Sequence, residues 1–417
     1  MPPPTLPHIA LAHDWLVGYR GGEAVLDAIV RSLAGHALIT GLYTMFADGR
    51  PLTPAVDALS RTVWPPGQSR AGVRLRRWLL PAYPRAVDWL SRRLEADAGA
   101  AECAPDLLIS TSSAAIHGLV APRSRAGASG TGRVPHLCYC HSPARYLWSQ
   151  TDQYAGGVRG LALRMAAPGL RARDLAAANR TPGEGRVTRW LANSTHTQRE
   201  LMRCFGAPSQ VVFPPVRTEY FTPEPETDDV EAVIAGQTLP REFLLCAGAV
   251  EPYKRVDVAI EAARELDVPL VVAGSGSVLA QMQRLAEQLH GPDAPARVLF
   301  LGRVSDANLR TLFRRTRALL HPQIEDFGIT AVEAQACGTP VVAVAQGGAL
   351  DTVIDGTTGV HVHEQSGPAL AAGVRALPPR SARVTDACRQ NALRFSEPFF
   401  AAAVLHHVQD LLGDKDF

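Results

Sequence analysis

Short apolar runs alternate along the chain with stretches whose apolar residues recur every third or fourth position, the two periods of a buried strand and an amphipathic helix. The first run, residues 8–17, gives way to Gly18, Tyr19, Arg20, Gly21 and Gly22. Val25, Ile29 and Leu33 then stand four apart with Ala28 between them, which lays one apolar stripe toward a sheet. Strand, glycine loop and helix predict the opening of a βα unit.

The same reading predicts buried strands at 106–110, 134–139 and 190–192, and a helix at 198–204 after Asn193, Ser194 and Thr195. A turn-rich stretch with Pro214, Pro215, Pro223 and Pro225 and an acidic run at 224–231 interrupts the pattern. The acidic run reads as a solvated loop. Strands are then predicted at 243–247, 270–273, 298–301, 318–321 and 341–344. Helices are predicted at 256–265, 278–289, 308–315 and 329–337, with a last one after Gly348.

Such alternation predicts an α/β chain of two doubly wound parallel sheets, whose ligands bind at the carboxyl ends of the strands. The expected domains are 1–216 and 217–396, and two such halves are expected to face each other across a cleft. A terminal helix with Phe399, Phe400, Val404, Leu405, Val408, Leu411 and Leu412 is expected to pack back on the first domain.

Composition narrows the classes without choosing one. At 417 residues the chain exceeds the size at which a single core normally stops growing. A formal net charge of +2 argues against nucleic acid as a bulk electrostatic partner. The start at 1–7 lacks a basic and apolar leader, and no stretch reaches a membrane span of roughly 18 uncharged apolar residues, so the expected location is the cytoplasm.

Seven cysteines scattered through the chain fit reduced thiols. Cys138, Cys140 and His141 resemble metal ligands in type, yet no second pair stands at zinc spacing, and no metal is expected. A mixture of Arg70, Arg74, Arg76, Arg77, Arg85, Arg92 and Arg93 with Trp78, Leu79, Leu80, Tyr83 and Trp89 suits an anionic membrane surface. It equally suits a solvated basic helix face.

The segment 321–343 carries the densest chemistry. An apolar strand precedes it and Gly338 and Pro340 close its helix, so the loop and helix start lie at a strand's carboxyl end. Side chains lean toward a helix N-terminus, which turns Glu333 back toward the opening that Glu325 borders. The free amides of Phe327, Gly328, Ile329 and Thr330 predict an anion site between the two carboxylates. Carboxylates beside bare amides suit a ligand with hydroxyls and phosphates, as in a nucleotide sugar.

Glu325-Asp-Phe-Gly328, Glu333 and Ala336-Cys-Gly338-Thr-Pro340-Val-Val together resemble the signature of glycosyltransferase family 4. The resemblance implies the GT-B fold, two facing Rossmann-like domains, and transfer with retention of configuration. It implies Glu325 against the transferred sugar and Glu333 on the nucleotide ribose. Glu251-Pro-Tyr-Lys254-Arg255-Val-Asp257 follows a strand and matches the family as well, implying that Lys254, with Arg255 second, neutralises the donor diphosphate. Many members carry an arginine five residues earlier, where this chain has Ala249; Arg255, Arg20 or backbone amides are then left to compensate.

Gly21 and Gly22, like the paired glycines near the start of family members, permit close approach of a diphosphate. Gly274 is expected in a strand-helix turn beside the nucleotide. His141, in Cys140-His-Ser-Pro143, matches a histidine that reaches the reacting sugar from the acceptor side, and Asp14 is a further acceptor-side candidate. A lone histidine also fits a structural place.

His13-Asp-Trp-Leu, the block at 140–148 and the segment at 252–257 resemble bacterial mannosyltransferases of surface polysaccharide assembly. The implied donor is GDP-mannose and the acceptor a glycan or lipid-linked molecule at the inner face of the membrane. A UDP-sugar transferase and a nucleotide-sugar epimerase remain as alternatives. No DxD motif stands at a strand end, so neither metal nor other cofactor is expected.

Overall fold

The computed structural model describes residues 6–76, 78–100, 104–124, 132–149, 157–181, 184, 187–223 and 233–413. The acidic run at 224–231, Arg77 and Cys103 lie outside the described residues. Two compact units form, 1–215 with 400–417, and 216–399.

The first unit holds a parallel seven-stranded sheet. Its strands are β1 (His8–Leu16), β2 (Leu38–Ala47), β3 (Arg61–Val63), β4 (Leu107–Ser112), β5 (His136–Cys140), β6 (Arg189–Ala192) and β7 (Ser209–Val211), in the order β3-β2-β1-β4-β5-β6-β7. Side chains alternate across a strand, so β1 serves two cores. Ile9 and Leu11 pack with Val25, Ile29 and Leu33 and with Phe400, Val404 and Val408 of the helix Glu397–Leu412. Ala10 and Ala12 pack with Tyr83, Leu90 and Leu94 of the helix Tyr83–Ala100. Burial on both faces explains why the strand reads as one apolar run rather than an alternating one.

The second unit contains a two-stranded antiparallel hairpin, β8 (Val233–Ile234) and β9 (Gln237–Thr238). Six parallel strands follow: β10 (Leu244–Ala247), β11 (Leu270–Ala273), β12 (Val298–Gly302), β13 (Ala318–His321), β14 (Val341–Val344) and β15 (Gly359–Val362), in the order β12-β11-β10-β13-β14-β15. Leu244 and Cys246 pack against Val256, Ala259 and Ile260 of the helix Val256–Leu266. Each fully buried aliphatic side chain there contributes about 1.5–3 kcal/mol.

Each sheet reverses its winding once, between β1 and β4 and between β10 and β13. Loops leaving the two strands at such a reversal diverge to opposite faces and open a crevice above their carboxyl ends. The functional candidates concentrate at these two places. Among the described residues no helix is long and apolar enough to cross a membrane.

Candidate active site

The loop after β10 and the loop after β13 meet above the reversal of the second sheet. Glycines set the first loop. Gly248 has φ +136° and Gly274 φ +154°, and a Cβ on Gly274 would stand 1.7 Å from the Gly248 carbonyl oxygen. A Cβ on Gly276 would stand 2.1 Å from the Val250 oxygen, while the Gly248 and Val250 amides donate to the Ala273 and Ser275 carbonyls at 2.9 and 3.1 Å. Gly274 thus locks two loops backbone to backbone, in the strand-helix turn expected for it.

The locked loop ends in the turn Pro252–Lys254. The Lys254 ammonium donates to Glu325 Oε1, joining residues 71 apart in sequence. Glu325 Oε2 lies 3.6 Å from Nε2 of His321, which closes β13. Gln323 donates its amide N–H to His321 Nδ1 at 2.9 Å, so the ring proton of the neutral imidazole sits on Nε2, toward Glu325. Burial holds the His321 pKa down to about 4, so this ring is a neutral donor at ordinary pH.

Glu325 also anchors the chain. Its carbonyl accepts from the Gly348 amide at 2.8 Å, and a Cβ on Gly348 would stand 2.3 Å from Phe327 Cα. Phe327 is buried and meets Phe395 edge to face, with ring centroids 5.4 Å apart. Gly328, at φ +94°, then caps the helix Ile329–Ala336, and a Cβ there would stand 3.2 Å from His321 Nε2. The first helical amides, at Ile329 and Thr330, have no carbonyl one turn upstream to receive them. A half-buried lysine, a carboxylate and a bare helix start therefore adjoin one another.

Arg255 and Glu333 both have protein partners here. Arg255, one of the three groups left to compensate for the arginine absent at Ala249, grips Asp257 at 3.0–3.1 Å and Gln365 at 2.7 Å. Its charge is already matched by a neighbouring carboxylate. Glu333, expected to border the same opening as Glu325, is 8% exposed and lies 3.6 Å from Arg217, whose other guanidinium nitrogen donates to Asp306 at 2.6 Å. Burial raises the Glu333 pKa to about 7, with Arg217 pulling it down and Asp306 pushing it up.

In the first unit, His13 and His141 flank Gly22 at the start of the helix Gly21–Leu33. A Cβ on Gly22 would stand 3.5 Å from His13 Cε1 and 3.7 Å from His141 Nε2. The glycine admits both rings. His13 Nδ1 is 2.5 Å from Thr111 Oγ1, whereas the buried His141 Nε2 has no hydrogen-bond partner among the described residues. Burial lowers the His13 pKa to about 3 and that of His141 to about 4, so both are neutral.

A carboxylate stands beside Gly21 and Gly22 at this helix start. Glu23 accepts from the Arg20 amide at 3.1 Å, and burial raises its pKa. Asp14 is likewise committed. Its carboxylate accepts from the amides of Ser113, Ala114, Ala115 and Ile116 at 2.6, 2.8, 3.0 and 2.9 Å. With both oxygens taken by the loop after β4, Asp14 holds backbone rather than acceptor.

The reading from sequence did not single out His321, Gln323, Arg217, Asp306 or Gln365. His321 and Gln323 stand inside the motif it emphasised, and a polar residue closing an apolar strand was the available signal. Arg217 follows Pro214 and Pro215 and read as turn.

Residues 229–392 match the family model described as glycosyl transferases group 1. A D-inositol 3-phosphate glycosyltransferase of Mycolicibacterium paratuberculosis is 37% identical over 234 residues, 52% of this chain and 52% of the relative. One from Mycobacterium bovis is 40% identical over 199 residues, 44% of this chain and 40% of the relative. The chain thus spans about half the length of the curated relatives it matches.

HepE of Anabaena, solved with UDP, superposes with a TM-score of 0.64 at 18% identity, covering 97% of this chain and 99% of that one. Sucrose-phosphate synthase of Thermosynechococcus elongatus does so with a TM-score of 0.69 at 18% identity and the same coverage, 97% and 99%. The chain has the GT-B fold, two parallel-sheet Rossmann-like domains, and residues 229–392 of its second unit are similar to the group 1 glycosyl transferases.

Proposed function

We propose that this protein is a retaining glycosyltransferase that moves a hexose from a nucleotide-diphosphate sugar to a glycan or lipid-linked acceptor. The observation that carries the reading is the Lys254–Glu325 pair at the reversal of the second sheet, beside the bare start of the helix Ile329–Ala336. A diphosphate placed there takes over the Lys254 ammonium and the free amides, both charge-assisted contacts. Glu325, released from the lysine, then accepts from hydroxyls of the sugar.

In the reaction the bond between the sugar's anomeric carbon and the diphosphate oxygen breaks, and the acceptor oxygen bonds that carbon on the same face. The acceptor proton passes to the departing phosphate. Lys254 and the helix amides stabilise the charge that develops there, which is electrostatic preorganisation. This reading needs neither a covalent nucleophile nor a metal. His141, neutral and with its buried Nε2 unpartnered among the described residues, is suited to a substrate hydroxyl.

The donor we favour is GDP-mannose, on the segments at 13–16, 140–148 and 252–257. A UDP-sugar is the second reading, supported by HepE of Anabaena, which was solved with UDP-glucose. The relatives' activity on D-inositol 3-phosphate supports a phosphorylated polyol among the acceptors to try. Exposed Trp78 and Leu75 beside Arg70 and Arg74 support a membrane-surface acceptor.

The test is a donor and acceptor screen that reads nucleotide release, with Glu325→Ala as control. Acceptor-dependent release lost in the control is expected. Release of free sugar without acceptor, or epimerised donor, would overturn the transferase reading.

A further inference from the structure

The segment 217–222, near the start of the second unit, is held by an array of arginines. Arg310 donates to the Tyr220 carbonyl at 3.1 Å and lies 4.6 Å over its ring. Arg314 donates to the Thr222 carbonyl at 2.7 Å, and Arg389 to the carbonyls of Thr218 and Phe221 at 2.6 and 2.9 Å. These three guanidinium groups each hold backbone of this segment. Arg217 differs: its guanidinium lies 5.4 Å from the Tyr220 ring centroid and 5.1 Å from that of Phe221, with one nitrogen on Asp306 and the other toward Glu333.

Stacking on two rings and an ion pair to Asp306 fix the guanidinium before any ligand arrives. Glu333 projects from the second turn of the helix Ile329–Ala336. Its surroundings supply Arg217 as an attractive charge and Asp306 as a repulsive one, with Arg310, Arg314 and Arg389 on the helices packed nearby. A nearly buried carboxylate in this setting tends to hold its proton unless a cation faces it.

We propose that Arg217 is a positioning residue for the donor, holding Glu333 in the charged form and the orientation that accept from the vicinal hydroxyls of the nucleotide's ribose. The proposal rests on the transferase reading, in which Glu333 meets the ribose. A charged carboxylate accepts from both hydroxyls at once, whereas a protonated one keeps a hydrogen of its own in the way. The donor's affinity therefore depends on a residue that need not touch the donor, and it falls as Glu333 protonates.

The experiment is calorimetric titration of GDP and of UDP into the full chain from pH 6 to pH 9, for wild type, Arg217→Gln, Arg217→Lys and Glu333→Gln. In wild type the better nucleotide should weaken as pH falls through about 7. Arg217→Gln should bind on the order of tenfold more weakly at pH 7, recover toward pH 9, and so shift the profile to higher pH. Arg217→Lys should recover part of the loss, and Glu333→Gln should bind weakly with a flat profile. Thermal melts confirm that each variant is folded.

An Arg217→Gln profile that overlays wild type overturns the proposal. A uniform loss with no shift in pH does so too, since that is what a merely structural role produces. Wild type binding neither nucleotide at any pH would instead overturn the transferase reading on which the proposal rests.

Discussion

Removing the Asp14 carboxylate tests whether this residue builds the first unit or serves the acceptor. Asp14 is 1% exposed and accepts four backbone amides from the loop that leaves β4. A hydrogen bond to a charged group contributes about 1.5–3 kcal/mol, and a buried donor left without an acceptor costs a comparable amount. Four such bonds do not add fully, because they share two oxygens and one rigid loop. We expect Asp14→Ala to lose roughly 4–8 kcal/mol, close to the whole stability of an ordinary domain.

Asp14→Asn keeps one carbonyl oxygen and turns an amide toward the remaining donors. The expected loss is about 3 kcal/mol, which at about 2–4 °C per kcal/mol for a domain of this size lowers Tm by roughly 6–12 °C. Scanning calorimetry of the full chain reads the shift, and hydrogen exchange at Ser113 to Ile116 reads its place. A Tm within about 2 °C of wild type, paired with a raised acceptor KM, would refute the reasoning and return Asp14 to the substrate.

Gly274→Ala should be costly out of proportion to one methyl, since the new Cβ would stand 1.7 Å from the Gly248 oxygen at φ +154°. The two loops must part, so nucleotide affinity and the stability of the second unit should both fall; calorimetry showing neither would refute the interlock. Glu333 gives a pH signature. Its folded pKa, raised from 4.5 to about 7, makes wild type lose stability as pH rises through that window, by about 3 kcal/mol in all. The advantage of Glu333→Gln over wild type should therefore grow from pH 4.5 to 7 and then level off. A difference that stays flat across the window would show that Glu333 is not perturbed.

Some of this was legible in the chain and some was not, for definite reasons. The strands β11, β13 and β14 have the bounds expected of them because each is a short, largely apolar run entered from a proline or an arginine. β2 was not anticipated: Gly41 and three threonine and tyrosine positions break its apolar pattern, and its register on β1 carries an irregularity between Ile9 and Ala10. The helix Gly157–Ala178 escaped because Pro168 lies inside it and its apolar residues form no strong stripe.

At the site, local spacing singled out Glu325 and Glu333, and the family resemblance singled out Lys254. Their partners come from elsewhere in the chain. Lys254 finds Glu325 71 residues on, Glu333 finds Arg217, and Arg255 turns to Gln365 110 residues away. Such pairings are products of sheet order, to which local spacing is blind.

The central claim is that Lys254 holds the donor diphosphate while Glu325 serves the sugar. Titration of the better nucleoside diphosphate into wild type, Lys254→Met and Glu325→Gln separates the two roles. Losing the charged contact should weaken binding to Lys254→Met by about 2 kcal/mol, on the order of thirtyfold. Glu325→Gln releases the ammonium from its partner, so it should bind at least as tightly as wild type while turnover collapses. Equal affinity for wild type and Lys254→Met, or weaker binding to Glu325→Gln, would contradict the account.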